Sequence, residues 1–410
     1  QHQRVAVFTC PDVRLHCAWA DGNRFASVDR KYVTHYGSLP ATAEPPGQLP
    51  LQEMFVTSTE VADDRPVVPW TMRRDGEEYR LYFGDLHRHT DISRCSPTID
   101  GSLADAHRYA LDAVGYDFLA ITNHTRDVDP FSWWRTQKAA DLYHIPGRYV
   151  PIYGYERSNG APNGGHRNVF FLTRGAPVDP GDAWYSGRDL PQRETRPDTT
   201  LYPWMRQRGG TLTAAHTPEY SSREMRGTWT YNDPQMEPVA EIFQGFRRSY
   251  ERPDNGVAEE ASLWYALGRG YQLGFIASSD HISTHTSYAC IWAAEKTRES
   301  IFEALSARRT FAATDRIALD FRIGRALMGE AVLSTESTVS LSIRAAGTAP
   351  IDEIEVIRSG HVIAMLKTRT RQVELEYIDP QPIPGKSHYY VRLMQRDRNI
   401  AWGSPIWMER

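Results

Sequence analysis

Residues 79–124 read YRLYFGDLHRHTDISRCSPTIDGSLADAHRYALDAVGYDFLAITNH, and this stretch decides the fold class. Tyr79–Leu86 has a strand pattern. Ser102–Val114 is amphipathic at helical spacing, with Ser102 placed to cap its start and Gly115 just past its end. Asp117–Thr122 is a nearly continuous apolar run, the texture of a strand buried on both faces. Strand, helix and strand in that order predict a βαβ unit and a parallel sheet.

Outward from this unit the alternation continues. A helix is predicted over Phe131–Tyr143, strands over Tyr149–Tyr155 and Asn168–Leu172, and a helix over Leu201–Arg208. Strands Thr211–Ala215 and Val239–Phe243 follow, then helix Val257–Leu267, strand Leu273–Ala277, helix Glu299–Ala307 and strand Thr310–Ala313. The span of roughly 240 residues suits an α/β barrel closed by βα units. Beyond Ile317 the helical signal stops. Ala318–Ile323, Thr338–Arg344, Ile351–Arg358, His361–Thr368, Gln372–Ile378 and His388–Gln395 read as short strands of a small antiparallel β-sandwich. Residues 1–78 read as an extension packed on the main domain, with short strands such as Arg4–Phe8 and Glu53–Thr57. The expected organisation is therefore 1–78, 79–317 and 318–410.

Composition excludes several classes. The 410 residues include 47 basic and 51 acidic side chains, a net charge of −4, which argues against a general nucleic-acid binder. A hydrophobic fraction of 40% is too high for a disordered chain. No run approaches the ~18 apolar residues needed to span a bilayer, so no membrane association is expected. The four cysteines, Cys10, Cys17, Cys95 and Cys290, are expected as thiols rather than as a disulfide framework. The sequence opens on Gln1, which suggests a processed product with no signal peptide left to read. Compartment and oligomeric state are not legible.

In a parallel barrel the functional groups gather at the carboxyl ends of strands. Asp85, His87 and His89 follow the first strand, and Asn123 and His124 the second. Glu156 follows Tyr155, His166 precedes Asn168, and His216 follows Ala215. Asp280, His281 and His285 follow Ala277. A single His-x-His pair or a single strand-end histidine is weak, since each is also a common core or loop residue. Their concentration at one end of one sheet points to metal ligation. Alternate residues of an extended segment project together, so His87 and His89 can hold one ion. Imidazoles combined with carboxylates suit zinc, manganese or iron.

Gly84-Asp-Leu-His-Arg-His-Thr90, Ile121-Thr-Asn-His124, Tyr155-Glu156, His216 and Ser279-Asp280-His281 resemble the successive motifs of the PHP (polymerase and histidinol phosphatase) superfamily. The similarity runs over about residues 80–315. It extends to Tyr389-Tyr-Val-Arg392 and Ala401-Trp402 in a bacterial branch of uncharacterised function. This resemblance implies a distorted (β/α)7 PHP-type barrel with two or three divalent ions, zinc or manganese first and iron as a further candidate. It places His87, His89, Glu156 and Asp280 around a first ion. Glu156 then bridges to a second ion held by His216 and His166, and His124 holds a third with a histidine of the Asp280 segment. Two positions depart from the family pattern. Ile282 stands where the family has its final histidine, leaving His281, preferred, and His285 as candidates. Arg94 and Cys95 stand where the family has a histidine or aspartate; a Cys95 thiolate would favour zinc.

The resemblance implies a metal-dependent hydrolase, a phosphoesterase first, in which a metal-bridging hydroxide attacks phosphorus and an unligated His281 or His285 protonates the leaving group. Hydrolysis of an amide, lactone or carboxylic ester at the same site is the alternative, and a metal-binding protein without catalysis is the third reading. The expected partner is a small molecule, a phosphate ester first. Arg247, Arg126 and Arg88 are the candidate substrate-binding side chains, because a guanidinium suits bidentate phosphate recognition.

Overall fold

A computed structural model describes residues 2–9, 14–22, 32–40, 70–96, 99–158, 164–178, 196–216, 228–253, 257–281 and 284–410. The chain divides into two compact units, Gln1–Val68 and Pro69–Arg410. In the first, His2–Thr9, Arg14–Gly22 and Tyr32–Pro40 form a three-stranded antiparallel sheet in chain order. The predicted strand Arg4–Phe8 lies within it, whereas Glu53–Thr57 lies outside the described residues. Residues 71–78, assigned to the extension by sequence, belong to the second unit. Thr71–Arg74 pairs back on the next strand through a turn at Asp75 and Gly76, both at positive φ.

The second unit is mixed α/β and dominated by strands. Seven of them position the site: β1 (Glu77–Arg88), β2 (Phe118–Ile121), β3 (Val150–Ser158), β4 (His166–Phe171), β5 (Thr211–Ala215), β6 (Val239–Gln244) and β7 (Gly274–Ser278). β1, β2 and β3 pair in parallel, as do β5, β6 and β7. Just beyond β7, Asp280 bridges to Arg88 and returns the pairing to β1. Leu86, Phe118, Ala120, Ile152, Phe170, Ala214, Val239 and Ile276 pack together in one buried cluster.

A regular strand–helix repeat is not what the chain adopts. β3–β4 and β4–β5 are antiparallel. Only residues 159–165 separate β3 from β4, and a parallel crossover needs about a dozen residues or more. The helices are short: α1 (Leu103–Arg108), α2 (Pro130–Leu142), α3 (Tyr202–Arg208), α4 (Leu263–Gly268) and α5 (Arg298–Ser306). Ser102 and Asp105 form a reciprocal capping box on α1, and a wider π turn over Tyr109–Val114 carries it to Gly115 at φ 69°.

β8 (Tyr288–Ala293) lies antiparallel to both β1 and β9 (Thr310–Ala313). The chain then forms long antiparallel ribbons: β10 (Ala318–Ile323), β11 (Val339–Arg358), β12 (His361–Asp379), β13 (Lys386–Gln395) and β14 (Ile400–Gly403). Two pairs of predicted strands are each one continuous strand here. The Gly347–Pro350 stretch is absorbed by a register shift against β12 rather than reversing the chain. β14 pairs with β9, so these ribbons continue the pairing of the preceding strands. Among the described residues, no helix is long and apolar enough to cross a membrane.

Candidate metal centre

The exits of β1 and β7 are locked together. Asp280 donates its backbone N–H to the His87 carbonyl (2.8 Å) and accepts from the His89 N–H (3.0 Å). Asp280 has φ 62°, a left-handed conformation that aspartate tolerates better than most residues. Its Oδ1 lies 3.0 Å from His89 Nε2, 3.5 Å from His87 Nε2 and 3.2 Å from His281 Nε2. Asp85 is buried behind this junction. It accepts from the His87 N–H at 3.0 Å and from the Ser279 hydroxyl. Burial raises its pKa to about 6, although those two bonds favour the anion.

Glu156, at the end of β3, is 1% exposed, and its N–H bonds to the Asn123 carbonyl at 3.0 Å. Imidazoles surround its carboxylate. His89 Nε2 and His124 Nδ1 each lie 2.9 Å from Oε2, with His87 Nε2 at 3.6 Å. His166 Nδ1 and His216 Nε2, the latter at 3.4 Å, face Oε1. Neither Glu156 oxygen nevertheless has a well-formed hydrogen bond. Burial would raise the Glu156 pKa, but His124, His166 and His216 hold it well below the ordinary carboxylate range. Burial pushes His124 down to about 3. It also opposes a proton on His87, yet Glu241 and Asp280 outweigh it and raise that pKa well above the ordinary value.

This donor set fits divalent cations. Buried carboxylate oxygens without well-formed hydrogen bonds, ringed by imidazole nitrogens, offer lone pairs that a divalent ion can take. Among the described residues, four groups place their ligand atoms within 4.8 Å of one another: His87/His89/Asp280, His87/Glu156/His216, His124/Glu156/His166 and His89/Cys95/His124. The first two share His87, the middle two share Glu156, and the last is joined to the others through His89 and His124.

The structure thus brings His87, His89, His124, Glu156, His166, His216, Asp280, His281 and Cys95 to one place. His281 hydrogen-bonds through Nδ1 to Asp100 Oδ2 at 2.8 Å. His285 is exposed, bonds to the Tyr109 hydroxyl at 2.8 Å and belongs to none of the four groups. Arg88 is largely buried, with Nη2 3.8 Å from Asp100 Oδ1. Arg247 is partly exposed, its Nε 4.0 Å from Asp280 Oδ2 and its guanidinium over the Phe246 ring. The side chain of Arg126 and the whole of Ile282 lie outside the described residues.

Sequence reasoning passed over several supporting residues. Glu241 is fully buried and bonds to His87 Nδ1 at 2.8 Å. The signal available was a lone carboxylate inside the apolar run Val239–Phe243. Ser93 bonds through its hydroxyl to His89 Nδ1 and to the His124 N–H, each at 2.8 Å. Asn123 Oδ1 accepts from Thr90 and Ser93. Nothing local marks Ser93 as part of a site, whereas Asn123 is among the strand-end polar groups named from the sequence.

Residues 269–348 match a family described as "Protein of unknown function (DUF3604)". An uncharacterized protein of Chlamydia pneumoniae is 38% identical over 217 residues, 43% of this chain and 35% of its own length. One of Chlamydia trachomatis serovar D is 24% identical over 358 residues, 76% of this chain and 55% of its own. The chain therefore spans about a third to a half of these relatives. Among solved structures, a Bacteroides vulgatus two-domain protein "containing predicted PHP-like metal-dependent phosphoesterase" aligns with a TM-score of 0.44 at 16% identity. That alignment covers 82% of this chain and 98% of the other. A set of fibronectin(III)-like modules from Clostridium thermocellum CbhA aligns over 22% of this chain and 93% of theirs, with a TM-score of 0.18 and 13% identity.

Proposed function

We propose that the chain is a metal-dependent hydrolase, a phosphoesterase of the PHP type, with two or three divalent ions held by His87, His89, His124, Glu156, His166, His216 and Asp280. The observation that carries this reading is Glu156: a buried carboxylate with five imidazoles around it and no well-formed hydrogen bond on either oxygen. On the same reading, residues 79–317 form a distorted (β/α)7 barrel, supported by the pairing that runs from β1 to β7 and back. Residues 318–410 form an appended β-sandwich-like domain.

Bound divalent ions supply Lewis acidity and make coordinated water nucleophilic near neutral pH. The protein's own groups do the rest. Asp85 and the backbone pairing of Asp280 with His87 and His89 hold the ligands in place, so little reorganisation accompanies binding. Arg247, partly exposed beside Asp280, is placed to take an anionic oxygen of the substrate. His281, fixed through Nδ1 by Asp100, turns Nε2 toward the Asp280 carboxylate and can pass a proton from that atom to a departing oxygen. Arg88 braces Asp100.

The test is elemental analysis of the purified full chain, followed by turnover of bis(p-nitrophenyl) phosphate and of acyl esters with zinc or manganese added. The expected result is stoichiometric metal and phosphodiester turnover, both lost in Glu156→Gln and His87→Ala variants that keep their circular dichroism. A wild-type chain that binds no divalent metal overturns the reading. Acyl-ester turnover alone would move the assignment to carbonyl substrates.

A further inference from the structure

We propose that Phe246 sets the substrate class of this centre, by receiving a flat aromatic group on a phosphate ester whose anion is taken by Arg247. This rests on the phosphoesterase reading above and adds to it. An exposed phenylalanine alone says nothing. Phe246 is 38% exposed, yet its ring meets the His281 imidazole edge to face, with centroids 5.0 Å apart and planes at 78°. The Arg247 guanidinium lies over the same ring, 5.6 Å from its centroid, while its Nε is 4.0 Å from Asp280 Oδ2. An open aromatic surface and a candidate anion grip are thus neighbours at the edge of the metal centre. Phe243, three residues earlier, is the contrast: its ring is stacked on Trp402, with centroids 5.8 Å apart.

The backbone holds this pair in place. Phe246 occupies the third position of a β-turn closed by the Arg247 N–H on the Gln244 carbonyl at 2.9 Å. The Gln244 N–H bonds to the Arg248 carbonyl at 3.0 Å, and Phe243 bridges to Ser249. Gly245 donates its N–H to the Ser278 carbonyl at the end of β7 (2.8 Å). A Cβ at Gly245 would lie 2.5 Å from the Ser287 hydroxyl and 2.9 Å from that of Thr286, so the turn is seated closely on the chain after β7. A second open apolar side chain is tied to the same imidazole: Ile99, 48% exposed, precedes Asp100, which bonds His281 Nδ1 at 2.8 Å. An aromatic surface already in place costs a ligand little ordering. Flat rings stack on a phenyl ring and on a guanidinium plane, which puckered or aliphatic groups of equal area do not. The favoured ligand therefore carries an aromatic ring close to its anionic group, as aryl phosphates and nucleotides do.

Calorimetric titration of the zinc-loaded full chain tests this with phosphonates, whose carbon–phosphorus bond resists hydrolysis. Phenylphosphonate should bind about tenfold tighter than cyclohexylphosphonate, which is similar in size but not flat. The 5′-methylenephosphonate analogue of thymidine monophosphate tells nucleotides from simple aryl esters, and a preference for either aromatic ligand over the cyclohexyl one supports the proposal. Phe246→Ala should abolish that preference, and Phe246→Trp should keep it. Because Phe246 is exposed, both variants should retain the wild-type circular dichroism. Equal affinities in wild type, a preference that survives Phe246→Ala, or zinc bound without any phosphonate binding overturns the proposal and leaves the metal centre standing. A wild-type chain that binds no zinc overturns both.

Discussion

Glu241 stands behind the proposed ligand His87 without belonging to any of the candidate ligand groups. Its Oε1 lies 2.8 Å from His87 Nδ1 and accepts from Asn168 Nδ2 at 3.4 Å, while Oε2 accepts from Gln244 Nε2 at 3.3 Å. A carboxylate behind an imidazole fixes the ring's orientation and tautomer, leaving Nε2 for the ion. Glu241→Gln is expected to weaken divalent-metal affinity by about 10–100-fold with the fold retained. Competition with a chromophoric chelator measures this; an unchanged affinity would disconnect Glu241 from the centre. The same scale shows what could be read in advance. Residue type and strand-end placement were enough to nominate His87, His89, Glu156 and Asp280. They left both His281, preferred, and His285 as candidates in one short segment. In the structure Asp100 bonds to His281, while His285 bonds to Tyr109.

At the level of elements, the junction of β1 and β2 is the tightest constraint near the site. Gly84 is in register with Phe118, and a Cβ added at Gly84 would lie 2.4 Å from both the ring and the carbonyl oxygen of Phe118. Gly84→Ala therefore overpacks a fully buried crossing and should cost about 1–3 kcal/mol, seen as a lower urea midpoint with an unchanged slope. Wild-type stability in that variant would show that the two strands have room to separate. The strands and helices with strong periodicity were legible: α2 and α5 start and end within a residue of their expected limits. Strand direction was not. A buried apolar run looks the same whether its neighbour is parallel or antiparallel, and only the short connection 159–165 betrays the reversal between β3 and β4. Nor could spacing show that Gly347–Pro350 would be absorbed as an irregularity within one long strand.

Across the whole second unit, Glu251 ties the segment after β6 to the C-terminal ribbons. Buried to 3% exposure, it accepts from the Tyr390 hydroxyl (2.6 Å), from Trp402 Nε1 (3.0 Å) and from the Arg392 guanidinium. Arg392 also bonds Glu355, and Trp264 Nε1 donates to the Tyr390 hydroxyl at 2.7 Å. Removing the carboxylate strands several buried donors at once. Glu251→Ala is expected to destabilise the chain by about 3–5 kcal/mol, measured by urea denaturation. A change below about 1 kcal/mol would mean that Glu355 alone satisfies Arg392. These contacts tie the C-terminal strands to the segment after β6. The sequence by itself determined which chemistry was available: ligand-type residues at strand ends, short helices with their caps, and a composition suited to a folded α/β chain. Those are properties of neighbours along the backbone, set by residue type and spacing. Tertiary structure alone decided which ring nitrogen faces which oxygen, that Glu241 and Asp100 stand behind His87 and His281, and that Cys95 lies within 4.8 Å of His89 and His124. Such contacts link residues far apart in the chain, and they exist only once the strand pairing returns to β1 and brings all its ends together.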